Sequence, residues 1–227
     1  MLLLHGLFSS AQVNWIKFGH AQRLADAGFE AIMPDLRAHG ESDVPQDAEA
    51  YPPDVLVKDA LALAQSKGLE AGQFDLVGFS LGARTAVQAV LAGLSPSKLV
   101  LGGMGLEGLG EWQQRSGFFI DAIDRFDDIR SAEDPAYMAK SFMRTMKVDR
   151  AAARKLLMSV QDVPPSALER ITMPTLLVCG AQDIDNGSAQ ALAAALPDAR
   201  YVEVPGTHMS SVTEAAFGAA IAEFLEG

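Results

Sequence analysis

The chain is short of cysteine, of positive charge and of long apolar runs, and each shortage removes a class of function. Cys179 is the single cysteine in 227 residues, which excludes an internal disulfide and leaves no set of thiolates for a structural zinc. Lys and Arg number 18 against 29 Asp and Glu, a formal net charge of -11, and no basic cluster interrupts that balance. Nucleic acid and anionic membrane are therefore poor partners, and the acidity reads as a solubility feature. No apolar run approaches the roughly 18 residues of a membrane span, and the apolar start at Met1 has neither a basic flank nor a long apolar stretch behind it. A soluble, cytoplasmic protein is expected.

What is present is a globular composition, 49% hydrophobic and 21% charged, in a length that suits one α/β domain of about 200 to 250 residues. Short apolar runs at 2–4, 31–33, 74–79, 98–101, 175–179 and 201–204 read as buried strands. Helical spacing occupies 20–27, 54–67, 81–92, 189–196 and 215–225, with Gly28 placed to stop the first of these. Alternation of this kind predicts a parallel sheet covered by helices. Residues 105–165 break it, reading as about three helices in succession without a strand. They are expected to form a helical cap, or lid, inserted into a core made of 1–104 and 166–227. The cap carries Trp112, Phe118, Phe119, Phe126, Met138, Phe142, Met143, Met146 and Met158, expected mainly to pack it onto the sheet and secondarily to line a pocket.

Gly78-Phe79-Ser80-Leu81-Gly82 stands where a predicted strand meets a predicted helix. Elsewhere such a pentapeptide is a mere tight turn, but here it has the context of a nucleophile elbow. Its glycines carry no Cβ to collide in the sharp reversal, so the Ser80 hydroxyl can stand exposed. A serine needs a base to take its proton, and histidine has a suitable pKa. Four histidines exist, His5, His20, His39 and His208. His208 follows the last predicted strand, at the carboxyl edge where open α/β sheets place their sites. Asp183, after the strand that ends at Cys179, is the candidate acid to orient it, with Asp185 two residues on as an alternative. The chain order Ser, Asp, His suits the elbow. Oxyanion donors are expected from the backbone amides of Leu81 and of Leu7, with Phe8 second to Leu7. His5 is expected to brace that loop by hydrogen bonding. Phe8, Met104 and Met209 are candidate substrate contacts.

These residues together resemble the α/β-hydrolase superfamily, and within it the small esterase-like serine hydrolases, through His5-Gly6, the DxRxHGxS pattern at 35–42, the elbow at 78–82, Gly180 to Asp183 and Gly206 to His208. The resemblance spans nearly the whole chain. It implies an acyl-enzyme mechanism with no metal or organic cofactor, acting on small-molecule esters, with small to medium apolar acyl chains favoured by the composition of the cap. Other readings on the same fold are hydrolysis of carbon–carbon bonds in diketone-like substrates, and a ligand receptor that does not catalyse. Ser rather than Asp at position 80 argues against the dehalogenase and epoxide-hydrolase branches, which need a carboxylate nucleophile. Residues 102–105 offer no Asp as an alternative acid. Ala38 stands where the family often has glycine. Such chains also carry about two strands ahead of the HG loop, which here falls at residue 5; the first strands are expected to be missing, leaving 31–33 as an edge strand through which a homodimer could pair.

Overall fold

Five short apolar segments, β1 (Leu2–Leu4), β2 (Leu76–Phe79), β3 (Leu99–Gly102), β4 (Thr175–Gly180) and β5 (Ala199–Val204), hydrogen-bond in that spatial order as one parallel sheet. The structure, a computed structural model, describes all 227 residues. Leu3 pairs with Val77, Val77 with Val100, Val100 with Leu176 and Leu176 with Arg200. β1 to β4 are buried at every position, as a parallel sheet with helices on both faces requires.

The two-residue period of a strand divides these segments between two cores. Leu2, Leu4, Leu76, Leu99, Leu101 and Leu177 face one core, whereas Leu3, Val77, Val100, Leu176 and Val178 face the other. The second core is covered by α1 (His20–Asp26), through Leu24, and by α10 (Ala215–Glu226), through Phe217, Ile221 and Phe224. The first is covered by α2 (Val55–Ser66), α3 (Leu81–Leu91) and α8 (Ala189–Ala195).

Between β3 and β4 lie four helices, one more than the periodicity suggested: α4 (Leu106–Gly110), α5 (Trp112–Asp124), α6 (Tyr137–Thr145) and α7 (Arg150–Ser159). Leu109, Trp112, Ile123, Met143, Leu156 and Leu157 of this insertion belong to the same continuous apolar cluster as α2 and α3. Met158, by contrast, is turned to solvent. The run at 31–33 is not a strand. It makes a single parallel bridge, Ile32 to Leu2, because Pro34 has no N–H to continue the ladder and because Asp35 accepts from the amides of Ala11 (2.7 Å) and Glu41 (2.8 Å), which holds the chain in a loop.

Arg84 on α3 fastens the insertion to the sheet side. The residue is 1% exposed. Its Nη1 donates to the carbonyls of Gly108 and, at 2.8 Å, Leu109. Nη2 donates to the Gln161 carbonyl (2.5 Å) and to Asp162 Oδ1 (3.3 Å). The guanidinium lies 5.0 Å from the Trp112 ring centroid, an added cation–π contact. Burial pulls its pKa down to about 10, against the opposing pull of Asp162, so it stays a cation at neutral pH. A buried charge persists only when paired and hydrogen-bonded. Arg84→Ala would remove four hydrogen bonds, the Asp162 ion pair and the packing on Trp112, and open a void, and is expected to destabilise the fold by about 3–5 kcal/mol, measurable by urea unfolding.

Candidate active site

β2 ends at Phe79 and α3 begins at Leu81, so the whole reversal falls on Ser80, at φ 53° and ψ -114°. A positive φ on a residue with a Cβ is strained and persists only when its surroundings enforce it. The enforcement is close packing. A Cβ on Gly78 would sit 2.4 Å from the Gly82 carbonyl oxygen, and one on Gly82 would sit 2.1 Å from the Leu4 carbonyl oxygen. Neither glycine itself has positive φ; both are required by the approach of the helix start to β1 and β2. The Ser80 amide donates to the Gly102 carbonyl (2.8 Å), tying the turn to β3.

His208 is brought to Ser80 by a different local device. After β5, Thr207 caps α9 (His208–Ser211) in a reciprocal capping box with Ser210, which fixes His208 as the first helical residue. Its ring stacks on Phe79, with centroids 5.1 Å apart. Nδ1 donates to Asp183 Oδ2 (2.9 Å), and Nε2 lies 2.9 Å from Ser80 Oγ. Because a carboxylate only accepts, the proton belongs on Nδ1 and leaves Nε2 to accept from the serine. The Asp183 side chain is 3% exposed. Asp185, the alternative acid, turns outward: its carbonyl accepts from Arg115 Nη1, and its carboxylate lies 3.9 Å from Arg115. The loop from Asp183 is held to the chain after β3 by Asn186, whose Nδ2 donates to the Gly103 carbonyl (2.6 Å), and to the insertion by Gly108 donating to the Asn186 carbonyl (2.9 Å) and by Ser188 donating to Glu107 (2.8 Å).

Two amides beside Ser80 are unengaged. Leu81 is the first residue of α3, where an N–H has no intrahelical partner, and the Leu7 amide donates to no protein group. Phe8 differs. Its amide donates to His39 Nε2 (2.9 Å), which excludes it as the second donor. His39 Nδ1 in turn donates to the Arg37 carbonyl (2.9 Å). His5 sits edge-on to His39, 5.2 Å between centroids; it donates to the Gly6 carbonyl (2.8 Å) and accepts from the Leu36 amide (2.9 Å). These neutral rings clamp the Gly6–Leu7 loop to residues 36–39 and take no part in the hydrogen-bonded chain at Ser80. Ala38 lies at φ 61°, a left-handed conformation that glycine adopts at lower cost.

A cavity of about 870 Å³ opens above Ser80 and His208. Leu7, Phe8, Leu81, Met104 and Met209 all line it. So do Phe118, Phe119, Met138, Phe142 and Ile184, of which sequence reasoning had named only those in the insertion, without separating wall from core. Phe118, Met138, Ile184 and Met209 line it while staying exposed, so its apolar surface runs out to solvent. Cys179 is no rival nucleophile, since burial, helped by Asp183, pushes its thiol up to about 12. No helix is long and apolar enough to cross a membrane.

A model of the alpha/beta hydrolase family matches residues 1–222, and the chain belongs to that family. An epoxide hydrolase of Caballeronia sordidicola is 34% identical over 102 residues, which are 45% of this chain and 30% of that protein's length. A hydrolase from Pseudomonas aeruginosa superposes with a TM-score of 0.73 at 23% identity, covering 100% of this chain and 89% of that one. An esterase from Exiguobacterium antarcticum gives 0.73 at 18% identity, covering 100% and 91%. At these identities the structural likenesses define the fold.

The buried histidines set a pH dependence of stability. Burial, then His39, lowers the His5 pKa to about 3, and burial lowers those of His20 and His39. The unfolded chain binds these protons below about pH 6.5 and the folded chain only at lower pH, so stability is complete above that pH and falls on acidification. Each group contributes a slope of about 1.4 kcal/mol per pH unit where only the unfolded state is protonated. Urea unfolding between pH 7 and pH 4.5 is expected to show this loss, and a flat profile would contradict neutral buried rings.

Proposed function

We propose that the protein is a serine hydrolase of carboxylic esters with apolar substituents. The observation that carries the reading is the chain Ser80 Oγ, His208 Nε2 and Nδ1, Asp183 Oδ2, with both links at 2.9 Å, at the floor of an apolar cavity. Ser80 Oγ attacks the ester carbon as His208 Nε2 takes its proton. The oxyanion accepts from the Leu81 and Leu7 amides, with the N-terminal dipole of α3 in support. Collapse breaks the bond to the alkoxy oxygen, which leaves with the proton from Nε2, and Ser80 is acylated. Water, deprotonated by Nε2, then attacks the acyl carbon, and Ser80 regains its proton as the acid departs. Asp183 accepts from Nδ1 throughout and holds the ring in the required tautomer.

The apolar lining supports acyl or alkoxy groups of aliphatic or aromatic character, and the 870 Å³ volume is within the range of about 300–1,000 Å³ that holds small organic ligands. The name of the Caballeronia relative does not transfer, because position 80 holds Ser.

Hydrolysis of p-nitrophenyl esters of increasing chain length, with a fluorophosphonate label read by intact mass, tests the reading. Turnover and one adduct are expected, both abolished in Ser80→Ala, with a loss on the order of 10⁴-fold or more in kcat. Asp183→Asn is expected to lose on the order of 10⁴-fold, and Asp185→Asn far less. Labelling without ester turnover would direct the search to carbon–carbon substrates, and the absence of both labelling and turnover would sink the serine mechanism.

A further inference from the structure

A second, smaller space of about 210 Å³ also reaches Ser80. Leu7, Ser80, Phe142, His208 and Met209 line both spaces. A carbonyl carbon held at Ser80 Oγ carries two substituents that point apart, so the two spaces divide them by size. Liquid water occupies about 30 Å³ per molecule, so the smaller space admits a group of roughly seven non-hydrogen atoms at most.

Its walls are mixed. Val13, Phe18 and Val212 are apolar, whereas Ser9 and Asn14 bring polar atoms. Both are buried residues, Asn14 at 2% exposure and Ser9 at 6%. Asn14 Oδ1 accepts from the Gly6 amide (3.1 Å), which leaves Nδ2 as a donor without a protein partner; Ser9 Oγ has none either. The side-chain atoms that lack both a partner and accessible surface are Trp15 Nε1 and Arg84 Nε. The Ser9 and Asn14 groups therefore keep accessible surface, and the space they line is the small cavity. Donors in protein interiors are almost always paired, with protein or with water, so the partner of these two comes from whatever fills the cavity, beside the loop that offers the Leu7 amide.

Resting on the esterase reading and deepening it, we infer that the small cavity, apolar over most of its wall but bearing two free donors, is the subsite for the compact substituent of the substrate, which carries a hydroxyl, ether or carbonyl oxygen that accepts from Asn14 Nδ2 and Ser9 Oγ. The large apolar cavity holds the other substituent. That compact group belongs to the acyl half or to the alkoxy half, and matched substrates tell them apart.

The acyl arm compares 2-naphthyl methoxyacetate with 2-naphthyl butyrate; the alkoxy arm compares 2-methoxyethyl with butyl 4-phenylbutyrate. Each pair exchanges one methylene for an ether oxygen. Intrinsic reactivity cancels when the ether-to-methylene ratio of kcat/KM is compared between wild type and variant. Ser9→Ala removes one donor, and Asn14→Asp removes the other while keeping an acceptor for Gly6; thermal melts establish that each variant is folded. On one arm the ratio is expected to fall at least about fivefold in Ser9→Ala and further in Asn14→Asp. Ratios that stay within about twofold on both arms, including equal losses on both members of a pair, would overturn the subsite. A wild-type protein that hydrolyses none of the four esters and takes no fluorophosphonate fails at the esterase reading, and the subsite falls with it.

Discussion

The start of α3 lies against the carbonyl ends of β1 and β2 with no room for a side chain at residue 78 or 82, and most of the site's geometry depends on that approach. A methyl group at Gly82 would fall 2.1 Å from the Leu4 carbonyl oxygen. The short distance forces the reversal onto one residue, so Ser80 takes a backbone conformation that a longer loop would have relieved. It also sets the Leu81 amide, with no partner of its own, beside the hydroxyl. Everything else converges on that fixed point: α9 delivers His208, the loop after β4 delivers Asp183, and the two neutral histidines hold Leu7 in place.

Much of this was legible in the chain because the signals are local. The elbow needs its glycines within two residues of Ser80, and His208 and Asp183 each follow a strand whose apolar run is plain. The choice between Asp183 and Asp185 was not local. Both are loop carboxylates two residues apart, and what separates them is Arg115, about 70 positions away in the chain, which engages Asp185. Likewise nothing near Phe8 indicates that its amide is taken by His39. The run at 31–33 has the composition of a strand, yet one proline and the pull of Asp35 reduce it to a bridge. Arg84 reads as an ordinary helical residue until its carbonyl partners are seen. Long-range partners of this kind leave no periodicity to read.

The aromatic and methionine residues of the insertion show how composition misses division of labour. Trp112 and Met143 are buried in the apolar core, Phe118 and Met138 are exposed along the cavity, and Met158 faces solvent. Their residue types are the same kind. Only helix orientation sorts them, and that is set where Arg84 and the shared apolar cluster fix α4, α5 and α7 against α3.

That shared cluster has a consequence for how the protein can change over evolutionary time. An insertion with its own core could be exchanged between relatives as a module, carrying its specificity with it. Here the insertion and the sheet side have one apolar interior, so a transplanted replacement would have to match the surfaces of α2 and α3 residue by residue. Single side chains such as Phe118, Met138 and Ile184 line the cavity from exposed positions, so the shape of the cavity can vary one residue at a time without disturbing the interior.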